Sequence, residues 1–336
     1  MTTRFELPDE LSATAPPETR GLARDEVRLL VAAGKRVEHS VFAELGTYLK
    51  PGDLVVVNTS ATLPAAVDTT HAGVVVHFST ELDDGSWVVE LRSPTGPILD
   101  AHPGERVGLP AGAQLTLLAR YKSGQSRLWR AKVTVEGDVT AFLTGAGRPI
   151  RYGYVPKRWP ISDYQTVFAT QPGSAEMPSA ARPFTTGLVT KLVSAGVLFA
   201  PVLLHTGVSS QESGEPPLTE RFRVPVTTAR LVEWVRAEGG RVIAVGTTVA
   251  RALESAAGTD GSLTARDGWT DLVLGPDRPA RVVDGLITGL HAPDASHLLL
   301  LEAVAGAEVV QHAYDIALES RYLWHEFGDV SLLLRQ

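Results

Sequence analysis

The chain has 336 residues, of which 44% are hydrophobic and 21% charged, with a formal net charge of −7 and no cysteine. This is a globular composition, long enough for two folding units of about 100–200 residues each, and it excludes disulfides, thiolate metal sites and a cysteine nucleophile. The acidic balance argues against a surface coated in phosphate-binding side chains, although a local basic cleft stays open.

In chain order, the N-terminus lacks the apolar core of a signal peptide, and no stretch approaches the roughly 20 apolar residues of a spanning helix. Cytoplasm is the expected compartment, without membrane contact. Residues 26–33 are rich in apolar side chains. Residues 40–49 place Val41, Leu45, Tyr48 and Leu49 at helical spacing, and Lys50-Pro51-Gly52 ends that run. Residues 53–58 form a continuous β-branched run typical of a strand buried on both faces. Between 67 and 148 the texture changes to short alternating segments, at 73–78, 87–91, 114–119 and 128–135. Gly, Pro and Asp clusters punctuate them, predicting a small antiparallel barrel or sandwich. Helices are then expected at 186–195, 228–238, 248–257 and 298–305. Strands are expected at 198–205, 241–245 and 282–289, with a last one from 330. Such alternation implies a largely parallel sheet. The predicted fold class is α/β: a two-part α/β domain, residues 1–66 and 149–336, with an inserted antiparallel β-barrel domain at 67–148.

Two segments carry the clearest chemical signal. The first is Val245-Gly246-Thr247-Thr248, where a buried strand turns into a helix bearing Arg251 and Glu254. Free N–H groups, hydroxyls and the positive helix end converge there, a setting suited to anions and ribose hydroxyls. The plainer reading is that Thr248 caps the helix while Arg251 and Glu254 pair on its surface. The second segment delivers His291 to the end of a strand, before a helix that Asp294 or Ser296 can cap, at the edge where open α/β sheets bind ligands. A satisfied structural histidine is the plainer alternative. Asp163-Tyr164-Gln165-Thr166, His205 and Gly328-Asp329 also flank apolar runs; each could face a shared pocket or be loop punctuation, with Asp329 a turn residue. Glu212, Glu215 and Glu220 read as a solvated loop. No Gly-x-Ser-x-Gly elbow, phosphate loop or His-Glu-x-x-His helix is present, and His291 and His297 are not at one-turn spacing, so no metal is expected.

Taken in order, Pro51-Gly52-Asp53-Leu54 to Asn58, Tyr164-Gln165-Thr166-Val167-Phe168-Ala169, Gly246-Thr247-Thr248 with Arg251 and Glu254, Leu286-Ile287-Thr288 with His291 and Pro293, and Gly328-Asp329 resemble the S-adenosylmethionine:tRNA ribosyltransferase-isomerase family of queuosine biosynthesis. The resemblance runs from Phe5-Glu6-Leu7-Pro8 to the C-terminus and is weakest in the β-insert. It implies transfer of the ribosyl part of S-adenosylmethionine to an aminomethyl-deazaguanine in tRNA, with rearrangement to an epoxycyclopentanediol and loss of adenine and methionine. A sulfonium acidifies the adjacent 5′ C–H, so one positioned base can start such a rearrangement while an acid assists adenine. On this resemblance Asn58, Tyr164, Gln165, Gly246, Thr247, Thr248, Arg251 and Glu254 are the expected S-adenosylmethionine contacts. His291, Asp329 and His205 are the expected proton-transfer residues. The implied cosubstrate is S-adenosylmethionine, the implied partner is tRNA, and monomer and homodimer both stay open.

The chain also departs from that family. Asn58-Thr59-Ser60-Ala61 and Pro64-Ala65-Ala66 lack two arginines of the usual pattern, and Pro178-Ser179-Ala180-Ala181-Arg182-Pro183 lacks a histidine. Thr206-Gly207-Val208-Ser209-Ser210-Gln211 replaces a Gly-x-Gly-Thr-Phe pattern, and a His-x-Met-His-x-Glu motif survives only as Glu220, with Leu218 in place of its second histidine. Fewer phosphate contacts suggest a divergent paralogue. Two alternatives are therefore kept: turnover of S-adenosylmethionine with a small acceptor or none, and a non-catalytic binding protein. Arg182, Arg221 and Arg223 are candidates for an anionic small molecule, or surface charges.

Overall fold

The computed structural model describes residues 3–121, 127–208, 218–293 and 295–335. The β-branched run forms the strand Leu54–Asn58, buried throughout. Side chains alternate across a strand, so Leu54 and Val56 enter one core while Val55 and Val57 enter another on the opposite face. The same division separates Val242 and Ala244 from Ile243 and Val245, and Leu30 and Ala32 from Leu29 and Val31.

These strands belong to a nine-stranded sheet in the order Arg266–Thr270, Glu220–Val224, Leu198–Leu204, Leu54–Asn58, Val242–Val245, Gly285–Gly289, Val330–Leu334, Arg28–Ala33, Arg36–Val41. The middle strands, Leu198–Leu204 to Gly285–Gly289, are parallel. Val330–Leu334 runs antiparallel to Gly285–Gly289, and antiparallel pairs finish both edges. The sheet is thus mixed where a largely parallel one was expected: only Arg28–Ala33 and Arg36–Val41 form a short hairpin, while the two helices His297–Ala305 and Ala307–Glu319 bring Val330–Leu334 back antiparallel to Gly285–Gly289. Helices Val226–Ala237, Thr247–Ala256, His297–Ala305 and Ala307–Glu319 feed one core. Helix Thr186–Ser194 and the 3₁₀ segment Phe42–Tyr48 feed the other. Residues 40–49 are therefore not one α-helix: Ser40 and Val41 pair with Leu29 and Arg28 as strand, and the backbone breaks again at Glu44.

Between Ala66 and Arg148 the chain builds an antiparallel sheet in the order Ala66–Asp68, Val75–Glu81, Trp87–Ser93, Leu128–Thr134, Gln114–Arg120, Arg106–Gly108, with Gly96–Pro97 against Trp87–Ser93. It has its own core, including Phe78, Trp87, Leu115 and Trp129. The sheet is a curled antiparallel ladder, and the Thr70 N–H, two residues past the edge strand Ala66–Asp68, donates to the Gly108 carbonyl on the other edge strand at 2.9 Å. The helix Val139–Ala146, capped by Asp138, lies within this otherwise β segment. Ala66 and Arg148 exchange two backbone hydrogen bonds of 2.9 Å where the chain leaves and returns. No helix among the described residues is long and apolar enough to cross a membrane.

Candidate active site

Strand Val242–Val245 ends in Gly246, whose φ of +91° only glycine adopts freely, and helix Thr247–Ala256 follows at once. No side chain caps this helix, so the plainer reading of Thr248 as a cap does not hold; its Oγ1 lies instead 3.5 Å from Asn58 Nδ2. The pairing of Arg251 with Glu254 does not hold either. Arg251 forms an ion pair with Glu220, its Nε donates to the Leu272 carbonyl at 3.2 Å, and its Nη2 is buried without a partner among the described residues. Burial pushes the Glu220 carboxyl up and Arg251 opposes this, so Glu220 is no solvated loop residue. Glu254 is buried two turns along the helix. It accepts from the N–H groups of Arg281 (2.8 Å), Val282 (2.8 Å) and Val283 (3.1 Å), which sets it apart from the Gly246 turn as an anchor for the next strand.

Asn58 and Gln165 engage backbone. Asn58 Oδ1 accepts from the N–H groups of Ser60 and Leu204, and its Nδ2 donates to the Leu204 carbonyl at 2.8 Å. Gln165 forms a two-way bridge with the N–H and carbonyl of Thr62. Tyr164 is buried edge-on against Phe327; burial pushes its phenol up, with the charges of Glu326 and Asp163 adding.

His205 follows strand Leu198–Leu204. Its Nδ1 lies 2.7 Å from Ser60 Oγ, which is itself 2.6 Å from Ser174 Oγ. Burial, then Arg221 and Arg223, bring its pKa down to about 4, so it is neutral at pH 7. His291 lies just past Gly285–Gly289, with Nε2 2.9 Å from Thr288 Oγ1. Its N–H donates to Tyr314 Oη at 3.1 Å and its carbonyl accepts from Trp324 Nε1 at 3.0 Å. The ring stacks on His297 at 4.6 Å, and burial, with His297 and His325 adding, holds it well below the usual histidine value. Burial and then Arg251 bring His297 to about 4, so Arg251, His297 and His291 share one neighbourhood at the strand ends. Asp329 is fully engaged: Oδ1 accepts from the Arg28 N–H at 2.9 Å, and Oδ2 from Arg28 Nε at 3.1 Å and Leu323 N–H at 2.8 Å.

A cleft beside Gly289 is lined by Arg24, Arg182, His325, Glu326 and Asp329. His325 and Glu326, just before Gly328-Asp329, line this cleft without having been among the candidates read from the sequence; an adjacent imidazole and carboxyl are the signal the sequence offers. Tyr154 joins them: its hydroxyl donates to Glu326 Oε2 at 2.9 Å and its ring stacks on His325 at 4.1 Å. Arg182, Arg221 and Arg223 are already partnered, by Glu18, Asp267 and Gln171. Asp294, Glu212, Glu215 and residues 209–211 lie outside the described residues. Among the described residues no three His, Asp or Glu side chains gather as metal ligands.

Parallel central strands between helical layers define an α/β enzyme scaffold, a class whose ligands sit beyond the carboxyl ends of the strands. The chain belongs to the queuosine biosynthesis protein family, whose family model matches residues 2–333. It is 34% identical over 345 residues to the S-adenosylmethionine:tRNA ribosyltransferase-isomerase of Thermotoga maritima, covering 98% of each chain. It is 35% identical to the protein of the same name from Carboxydothermus hydrogenoformans, again over 98% of each. The crystal structure of S-adenosylmethionine tRNA ribosyltransferase from Thermotoga maritima superposes with a TM-score of 0.57 at 30% identity, over 99% of this chain and 100% of that one.

Proposed function

We propose that the chain is an S-adenosylmethionine:tRNA ribosyltransferase-isomerase, moving the ribosyl part of S-adenosylmethionine onto an aminomethyl-deazaguanine of tRNA as adenine and methionine leave. The observation that carries this reading is identity of about a third with such enzymes along 98% of both chains.

The uncapped helix start at Thr247 supports it, because unfilled N–H groups and the positive helix end suit the methionine carboxylate. In this reading Gly246 lets the backbone approach the ligand, the hydroxyls of Thr247 and Thr248 meet the ribose, and the free Nη2 of Arg251 supplies a further donor. His291 takes the substrate proton, and its neutral imidazole is in the form a base requires. His205 is a second neutral base within the same edge. Asn58, Gln165 and Asp329 shape the pocket with side chains whose polar atoms are held by the fold, Tyr164 does so with its buried ring, and Glu254 supports it from behind by anchoring the next strand. Residues 67–148 act as an inserted unit with residues 1–66 and 149–336 as the catalytic one, and a tRNA acceptor implies the cytoplasm.

Incubation with S-adenosylmethionine, with and without tRNA bearing the aminomethyl base, tests the reading by mass spectrometry. Adenine and methionine released together with a heavier tRNA base are expected. Release without any change in tRNA would favour a small acceptor or none, and absence of S-adenosylmethionine binding in calorimetry sinks both.

A further inference from the structure

The reaction proposed above needs an acid as well as a base, and Asp329 is poorly placed for that part because three donors already hold its carboxylate. Glu326, in the same cleft, differs from the other buried carboxylates of the site. Glu254 is filled by backbone N–H groups and Glu220 by Arg251, whereas Glu326 Oε1 is buried and has no hydrogen-bond partner among the described residues. Leaving a buried polar atom unfilled costs about 1–3 kcal/mol, more when it is charged.

The backbone that presents it is also constrained. His325 has a φ of +72°, unusual for a residue with a side chain, and such conformations gather at functional sites. It is locked by Tyr154 stacked on its ring and by the Gly328 N–H donating to its carbonyl at 3.0 Å. Gly328 has no room for a side chain, since a Cβ would lie 2.3 Å from the Leu323 carbonyl oxygen.

We propose that Glu326 is the catalytic acid of this cleft, giving a proton to the departing adenine while Tyr154 holds its carboxyl in position. As the bond between ribose and adenine breaks, its electron pair goes to the adenine nitrogen, that nitrogen takes the Glu326 proton, and Glu326 is left as a carboxylate. Proton exchange with water restores the acid.

The groups facing Glu326 fit this role. Tyr154 donates to it, Glu176 opposes its ionisation while accepting from Tyr152, and Tyr164 lies within its field. His325 beside it is neutral, brought to about 4 by burial. Arg24 and Arg182, the cations of the cleft, are paired with Glu18. Burial therefore lifts the carboxyl to about 7, with Glu176 adding and the Tyr154 hydrogen bond pulling the other way. His291, within the field of His325, is shifted down and Glu326 up, opposite directions of the kind by which a base and an acid divide their roles.

The test is the pH dependence of adenine release from S-adenosylmethionine by the full chain with tRNA, for the unmodified protein, Glu326→Gln and Tyr154→Phe. The unmodified protein should lose rate as pH rises through about 7. Glu326→Gln should lose about 100-fold or more, with that limb absent and S-adenosylmethionine affinity unchanged within about threefold. Tyr154→Phe should keep the limb but move it to higher pH, a displacement that a purely structural tyrosine would not produce. An unmodified chain that releases no adenine at any pH overturns the functional reading and this proposal together. An active chain whose Glu326→Gln variant keeps both rate and limb overturns the proposal alone.

Discussion

Arg251 reaches from its helix to Glu220 on a neighbouring strand, and not along the helix to Glu254 three residues on. Glu254 is taken by three backbone N–H groups and by Arg278, so the short-range partner is unavailable. Glu220 is buried with Arg251 as its counter-charge and the Gly207 N–H at 3.3 Å. A buried pair of this kind holds geometry more than it adds stability, and removing one member leaves an uncompensated charge. It fixes the guanidinium between Glu220 and the Leu272 carbonyl with one nitrogen unfilled among the described residues.

That free nitrogen gives the first prediction. Arg251→Lys keeps a cation but loses the second donor, and S-adenosylmethionine binding should weaken about tenfold, or about 1.4 kcal/mol. Glu220→Gln should lower stability to unfolding by about 3 kcal/mol, because Arg251 is then buried unpaired. Calorimetry and urea unfolding measure the two effects; unaltered affinity in Arg251→Lys removes Arg251 from the binding site.

The second prediction concerns His205. A Cβ on Gly173 would lie 2.4 Å from His205 Cε1, so Gly173→Ala must push the ring off Ser60. Overpacking of this kind costs about 1–3 kcal/mol. Gly173→Ala should unfold at correspondingly lower urea concentration, and an unchanged midpoint means that the ring can move aside freely.

The strands of the sheet's centre were legible because burial on both faces leaves an unbroken β-branched run, as at 54–58, and the Gly246 turn because only glycine suits a φ of +91°. What stayed hidden are relations between residues far apart in the chain. Nothing near Arg251 in sequence announces Glu220, and nothing near Glu326 announces Tyr154, 172 residues away. Asn58 and Gln165 are expected ligand contacts only through the family resemblance, and nothing beside them in sequence announces that their amides also join distant segments of backbone. The 3₁₀ segment Phe42–Tyr48 kept its apolar spacing while the strand before it took the residues that an α-helix needed.

A third prediction follows from the buried histidines. His205, His297 and His325 are brought to about 4 in the folded protein, against an ordinary value of 6.5. Between those values the unfolded chain binds protons that the folded one refuses, so stability falls as pH drops from 6.5 towards 4. Each contributes up to about 3 kcal/mol at the acid end. His325→Gln should flatten this slope when unfolding is followed at pH 7, 5.5 and 4.5; an identical slope means that His325 protonates in the folded protein as readily as in water.

Its neighbour Glu326 works with the opposite sign, and this supplies the fourth prediction. The folded carboxyl titrates at about 7 against an ordinary value of 4.5, so ionising it weakens the fold above pH 7, and the loss disappears as pH falls through 7 towards 4.5. The difference amounts to about 3 kcal/mol. Glutamine does not titrate, so Glu326→Gln should gain about that much stability relative to the unmodified chain at pH 8 compared with pH 4.5, even as turnover collapses. A stabilised but inactive variant is the pattern expected when a residue is kept for chemistry at the fold's expense. If the two proteins unfold in parallel across that pH range, the carboxyl is solvated like any surface glutamate, and an acid working near neutrality has to be sought elsewhere in the cleft.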